Sequence, residues 1–433
     1  MQCVGSASSD TRRRLPFKPA LAAVFLTAVS CTASAATGEL VIVSWVSGSE
    51  SDMMHALETA FQKTHPAITI REISLTVQGD PRGAIRTTLL SGEKADLLIN
   101  TWPAFRAELA DANLLRPLTA DWNANHWSAN LGDEWKRLGQ YKGVIYGVTY
   151  TFGDRSGIFY RTDVLKKAGI GAPPKTWNDF LATFKKLRAI GVTPVSIPGK
   201  TWAHAEWFET LLLRVGGIDA ASKLAAHQIK WTDPVVKTAL HRYADMLKAG
   251  CCDSADRMLA TEWESSADEV LKAGTHGYEL IGTWVNNRAK VDYGLKEGED
   301  YSLFQFPSMG LGHDDTTSVD TKEFVALRSG SNPAAADEFL TWVGSAQAAA
   351  IEARSGLASP SNQAVGLQTS PVTTASLAAV KSSKSQFVLG DLLPGDLVDE
   401  YRVQLQYFLQ DPSDANIDKV LNAIEKKAGD SYR

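Results

Sequence analysis

The chain has 433 residues and a net charge of −5 with its lysines and arginines scattered, which excludes a broad basic surface for nucleic acid. Two of its four cysteines fall within the first 31 residues, so no disulfide framework is available and the fold must rest on a hydrophobic core. The length fits two domains.

Arg12, Arg13, Arg14 and Lys18 precede an apolar stretch at 20–29, too short to span a bilayer and followed by Ala33-Ser34-Ala35. This pattern predicts a secretory signal peptide, residues 1–35, cleaved before Ala36. Arg12-Arg13 hints at twin-arginine export, and Ala28-Val29-Ser30-Cys31 is a poor lipoprotein box that competes with plain cleavage. No later apolar stretch approaches the ~20 residues of a spanning helix. The expected location is the periplasm.

An apolar run at 40–43 predicts a buried strand that opens into "SWVSGSES". Met53, Leu57, Ala60 and Phe61 then recur at helical spacing, and Ile68, Ile70 and Ile73 fall near the even spacing of a strand. Ile85 and Leu89 mark a second helix stopped near Gly92, and 96–99 is a short buried strand ending in Asn100-Thr101-Trp102. Such alternation implies a parallel α/β sheet with crossover helices. Ligands of such sheets sit beyond the carboxyl ends of the strands, where both tryptophan-bearing loops lie.

From Tyr141 onward Lys142-Gly143 predicts a turn between short strands, and "YGVTYTFGDRSGIFYRTDVLKKAG" carries the chain into a second lobe. Thr176 is the expected N-cap of a helix with the stripe Phe180, Leu181, Phe184 and Leu187, ended by Gly191. "VTPVSI" reads as a strand followed by a loop, "PGKTWAHAEWFE". Helices at 235–247 and 267–272 precede the strand "GYELIG", which opens into Thr283-Trp284 and Asn286. Adjacent Cys251 and Cys252 place their Cα atoms ~3.8 Å apart, below the ~4.4–6.8 Å of most disulfides. Two plain thiols near a helix end are expected there, with a strained vicinal bridge as the alternative. "GHDDTT", 312–317, looks like a metal loop only superficially and reads as a solvated turn before a strand at 324–326. A helix at 334–343 and a helical segment at 397–428 complete the chain, which has no internal repeat.

The order of "ADLLINTWPAFRAELADANLLRPL", "GAPPKTWNDFLATFKKL" and "AAADEFLTWVGSAQAAAIEARSGLASPSN" resembles the extracellular solute-binding proteins of sugar ABC importers, the broad family that includes maltose-binding protein. Within that family the loop Trp45 to Glu50 is similar to the Trp-Thr-Ser-Gly-Gly-Glu loop of glucose- and mannose-binding members, as are "GKTWAHAEWFETLLLRVGG" and "EGEDYSLFQFPSMG". The chain departs from those members at Thr283, where an Asp is usual, at Ala203 in place of Gln, and at Arg161 in place of Asn. A lost carboxylate at 283 removes one acceptor for sugar hydroxyls and leaves the sugar open.

The resemblance implies an α/β, two-lobed periplasmic binding protein fold (type II, maltose-binding-protein-like) with a ligand cleft between lobes and closure about a hinge. Lobe 1 is expected at 36–150 with a return segment at 316–358, lobe 2 at 151–315, and a C-terminal helical segment at 359–433 mainly with lobe 2. Crossings are expected near 149–155, 313–322 and 355–362. The implied role is carbohydrate binding by a monomer and delivery to ABC permease subunits, with no cofactor and no metal.

Sugar binding needs flat apolar faces for the C–H side of a pyranose and polar groups for its hydroxyls, since each buried hydroxyl left unpaired costs ~1–3 kcal/mol. Trp45, Trp202 and Trp284 suit the first role; a core or hinge indole is the bland alternative for each. Glu50 and Asp320 match family positions of hydroxyl-binding carboxylates, and Asp154 stands just before the second lobe. Ser47, Asn100, Thr101 and Asn286 are small polar residues at strand ends that can equally complete turns, and Arg155 and His204 are the weakest candidates. A secreted glycoside hydrolase also combines indole platforms with paired carboxylates, here Glu50 and Asp320. Against it, the chain has no His-Glu-x-x-His, no Gly-x-Ser-x-Gly, no phosphate loop and no Cys/His cluster. No catalytic residue is therefore expected.

Overall fold

The computed structural model describes residues 36–75, 81–364, 366–367, 370–382 and 384–432; the signal peptide read at 1–35 lies outside them. The apolar run at 40–43 is the heart of β1 (Gly38–Ser44), which pairs in parallel with β2 (Ile68–Ser74) and β3 (Leu97–Asn100). Its last five residues are all buried because a parallel strand is covered on both faces. Helix Ser49–Thr64 supplies one cover through Met53, Met54, Leu57 and Phe61.

The turn read at Lys142-Gly143 joins β4 (Gln140–Tyr141) to β5 (Val144–Ile145), and both turn residues have positive φ, as a tight hairpin turn requires. β6 (Gly147–Asp154) is still part of the first sheet. Two residues later β7 (Gly157–Arg161) begins a second sheet, completed by β8 (Thr193–Val195), β9 (His276–Leu280) and β10 (Tyr301–Gln305) in the order β10-β7-β9-β8. β11 (Thr316–Ala326) then returns to the first sheet, lying antiparallel to β6 along one edge and to β3 along the other. Its first half also pairs with β12 (Lys384–Phe387). The chain thus passes between sheets at 155–156, at 306–315 and at Val388, after which Leu389 already packs in the second core.

Thr176 caps helix Trp177–Ala189 as its sequence predicts, with Oγ1 accepting from Asp179 N at 3.1 Å. Two expectations need correction and two are made finer. The loop "PGKTWAHAEWFE" runs into helix Ala205–Ala225, fourteen of whose 21 residues are buried; a helix apolar on all sides shows no stripe in the sequence. The last segment is two helices, Gly395–Gln410 and Asp414–Ser431, the second capped by Ser413. Within residues 359–433, read as mainly second-lobe, the helices from Leu389 onward pack in the second core while the short β12 joins the first sheet. Cys251 and Cys252 are bonded to each other instead of standing as two thiols. The turn that carries them is pinned on both sides, Cys251 O accepting from Val195 N at 2.8 Å and Cys252 O from Arg188 Nη2 at 2.6 Å. The turn at 312–317 is closed by Asp314, which accepts from Met309 N at 3.0 Å and from Ser308. No helix among the described residues is long and apolar enough to cross a membrane.

Candidate functional site

Loops from the carboxyl ends of β1, β3, β8 and β9 open onto one cleft of about 1180 Å³ between the two sheets, slightly larger than the ~300–1,000 Å³ of most small-molecule sites. Five tryptophans line it, Trp45, Trp102, Trp202, Trp263 and Trp284, and all five are half-buried, whereas the other seven of the chain are buried in the cores. Trp45 is fixed by its Nε1 donating to Ile99 O at 2.8 Å, and its ring leans on Trp102 with centroids 4.9 Å apart. Across the cleft Trp284 meets Trp202 at 5.9 Å and Trp263 edge-on at 6.3 Å. Gly282 makes room for this: a Cβ there would lie 1.6 Å from the Trp284 ring.

Charged side chains are interleaved with the indoles. The Arg155 guanidinium, in the link between β6 and β7, stands 4.6 Å from the Trp284 ring and 5.1 Å from that of Trp202. It is ion-paired with Glu206 and lies 3.9 Å from Asp320. Lys322 Nζ pairs with Glu50 at 2.6 Å and stands 5.8 Å from the Trp284 ring. Pairing matters here, because a buried charge without a partner costs several kcal/mol. Even so, Asp320 Oδ1, Glu206 Oε2, Glu209 Oε2 and Arg155 Nε are buried at the cleft wall with no hydrogen-bond partner. The wall therefore sets charged and polar side chains beside flat apolar faces, an arrangement suited to a ligand that carries hydroxyls on a hydrocarbon ring.

Trp45, Ser47, Glu50, Thr101, Arg155, Trp202, Trp284 and Asp320 all line this cleft. Four sequence candidates do not. Asn100 lies beneath it, donating to Glu323 Oε1 at 2.7 Å. Asp154 is fully buried and stitches the crossing strands, accepting from Gln305 Nε2, Ser156 N and Thr317 Oγ1 at 2.8–3.0 Å. His204 is buried with Nε2 3.0 Å from Arg402 O, and burial pushes its pKa down to about 4, so it stays neutral. Asn286 is buried and donates to Gly356 O at 3.0 Å. The sequence reading missed Trp102, Trp263, Glu206, Lys322, Asp391 and Arg402 as lining residues. Only Trp102 carried a signal, its place after β3.

Burial and, to a lesser degree, the Asp391 charge push Glu209 up to about 7, and burial pushes Asp391 up to about 6. A carboxyl whose folded pKa is raised holds its proton more tightly when folded, so its contribution to stability is full below the unfolded value of 4.5 and is lost as pH rises toward 7. Ligand-free protein should therefore melt at a falling temperature between about pH 4.5 and pH 7.5 relative to Glu209→Gln, which lacks this titration. A gap between the two proteins that does not change with pH would mean that Glu209 is ionised throughout.

A family model described as bacterial extracellular solute-binding protein matches residues 47–350. The chain is 27% identical over 308 residues to an uncharacterised ABC transporter extracellular-binding protein of Pyrococcus horikoshii, covering 70% of this chain and 67% of that one. It is 24% identical to a probable sugar-binding periplasmic protein of Mesorhizobium japonicum, over 61% of this chain and 62% of the relative. Among solved structures it resembles the bacterial solute receptor AcbH, described as exclusively preferring β-D-galactopyranose, with a TM-score of 0.81 at 20% identity over 92% of this chain and 100% of that one. Maltose-bound MalE3 of T. maritima superposes with a TM-score of 0.72 at 16% identity, over 90% and 99% of the two chains. The fold is accordingly the two-lobed α/β fold that the sequence resemblance implies.

Proposed function

The chain belongs to the bacterial extracellular solute-binding proteins, and from that premise we propose that it is the solute-binding component of an ABC importer, holding a mono- or small oligosaccharide in the cleft and passing it to the membrane permease. One observation carries the carbohydrate reading: five half-buried indoles line one cleft together with the carboxylate-bearing Glu50, Glu206 and Asp320. Names of relatives agree, since one is a probable sugar-binding periplasmic protein and another a multiple sugar-binding protein. Acidic side chains outnumber basic ones along the walls, which favours a neutral sugar over a strongly anionic one.

In this reading the protein works in the periplasm as a monomer without turnover. Glu50 and Asp320 both face cations, which suits them to accept hydroxyl protons in hydrogen bonds; a glycosidase needs one carboxyl of its pair to donate a proton. The moving bodies are built on the two sheets, β1, β2, β3, β6, β11 and β12 in one and β7 to β10 in the other, rotating about the three links between the sheets. Ligand contacts from both bodies favour the closed form.

The test is a thermal-shift panel of monosaccharides, oligosaccharides, sugar acids and polyols on the purified protein. A sugar that binds only the folded state raises stability by RT ln(1 + [L]/Kd), so a saturable rise in Tm is expected for at least one neutral member. A panel that stays flat while peptides or amino acids shift Tm would overturn the carbohydrate assignment. Incubation of the positive sugar's glycosides should release no product in excess of protein.

A further inference from the structure

His55 and Glu58 stand three residues apart on helix Ser49–Thr64 and so share one face, turned toward Glu72 on β2. One ligand atom from each of the three falls within 4.8 Å of the others, and His55 Nε2 is 3.4 Å from Glu72 Oε2. That separation equals the edge of a tetrahedron of ligands about 2.1 Å from a central ion, roughly 3.4 Å. Glu58 is only 8% exposed, and its carboxyl lies within hydrogen-bonding reach of that of Glu72. Among the described residues no lysine or arginine pairs with either carboxylate. A buried carboxyl and a half-buried one face each other, with an imidazole at the rim.

We propose that His55, Glu58 and Glu72 bind one divalent cation of the Zn²⁺ type, at a site separate from the cleft. One imidazole nitrogen with two carboxylates is a borderline donor set, matched to Zn²⁺ and its transition-metal neighbours; Ca²⁺ and Mg²⁺ prefer all-oxygen shells. The His55 side chain is 57% exposed, so water can reach the ion and fill a fourth position. The site ties the helix to β2, and the first turn of the same helix carries Glu50 of the cleft. The sequence offers no sign of it, since Glu72 is fourteen residues from Glu58 and the three lack any familiar ligand spacing.

Zn²⁺ titrated into EDTA-treated, dialysed protein and followed by calorimetry should bind at one ion per chain. Even outer-shell partners of a metal are worth roughly 10–100-fold in affinity, so His55→Ala and Glu58→Gln should each weaken Zn²⁺ binding by at least about tenfold. His55 is exposed enough that its alanine variant keeps the fold, which circular dichroism checks. Absence of Zn²⁺ binding to the wild type, or binding that both variants leave unchanged, overturns the site; the two carboxyls then share a proton. Ca²⁺ binding as tight as Zn²⁺ and indifferent to His55→Ala overturns the imidazole's part in it. His55→Ala should keep the sugar-induced thermal shift, so the metal site and the carbohydrate reading fail separately.

Discussion

Trp284→Ala should weaken the binding of a confirmed carbohydrate by some tens-fold. Its indole packs against the core of the first sheet and against the cluster that contains Trp202 and Trp263, so it is the aromatic surface the two walls share. Losing ~100 Å² of apolar contact at ~25 cal/mol per Å² costs about 2.5 kcal/mol, which at tenfold per ~1.4 kcal/mol gives that loss. Ligand-free stability falls as well, because Arg155 and Lys322 lose the ring beside them. Gly282→Ala supplies an independent check: its methyl displaces the indole without deleting it and should also lower affinity. Calorimetric titration of the folded fraction of each variant decides the matter. If affinity stays within about twofold of the wild type while Tm drops, Trp284 is a core residue and the burial arithmetic does not apply to it.

The reason Trp284 was legible in the sequence also explains what was not. Strand ends mark where a parallel sheet presents ligands, and Trp45, Trp202 and Trp284 follow such ends. Strand-end position does not say which way a side chain turns, however. Asn100 and Asp154 occupy the same kind of place and turn inward, each saturated by a buried partner. Trp263 opens a short helix away from any strand, and Arg402 arrives from the C-terminal helices, so only the assembled fold brings them to the cleft. β11 shows the limit from another side. Its apolar end, Phe324 to Ala326, reads as a strand, while Thr316 to Lys322 is polar in sequence and yet buried. Three of those residues are satisfied at the crossing, Thr317 by Asp154, Ser318 by Ser156 and Lys322 by Glu50, and polarity satisfied by partners far along the chain leaves no periodic trace. Asp320 was reached through the family resemblance and by no pattern of its own.

Arg155→Met should destabilise the protein by about 3–5 kcal/mol, the usual result of removing one partner from a buried ion pair. Glu206, with a side chain 2% exposed, would keep its charge in the wall with no cation beside it, and its Oε2 already lacks a hydrogen bond. Methionine keeps the stem against the indoles of Trp202 and Trp284, so lost packing contributes little. The double variant Arg155→Met, Glu206→Gln removes the orphaned charge and should recover most of the stability, since replacing both partners of a buried pair is often close to neutral. Affinity should not recover with it. Arg155 Nε is a buried donor without a partner at the cleft wall, and the guanidinium lies in the link between β6 and β7 where contact with ligand bears on closure. Urea unfolding of the four proteins of the cycle gives the coupling energy, and titration of the confirmed sugar into each gives the affinity. A double variant that regains both stability and affinity would make Arg155 a strut between the two lobes with no part in holding the solute.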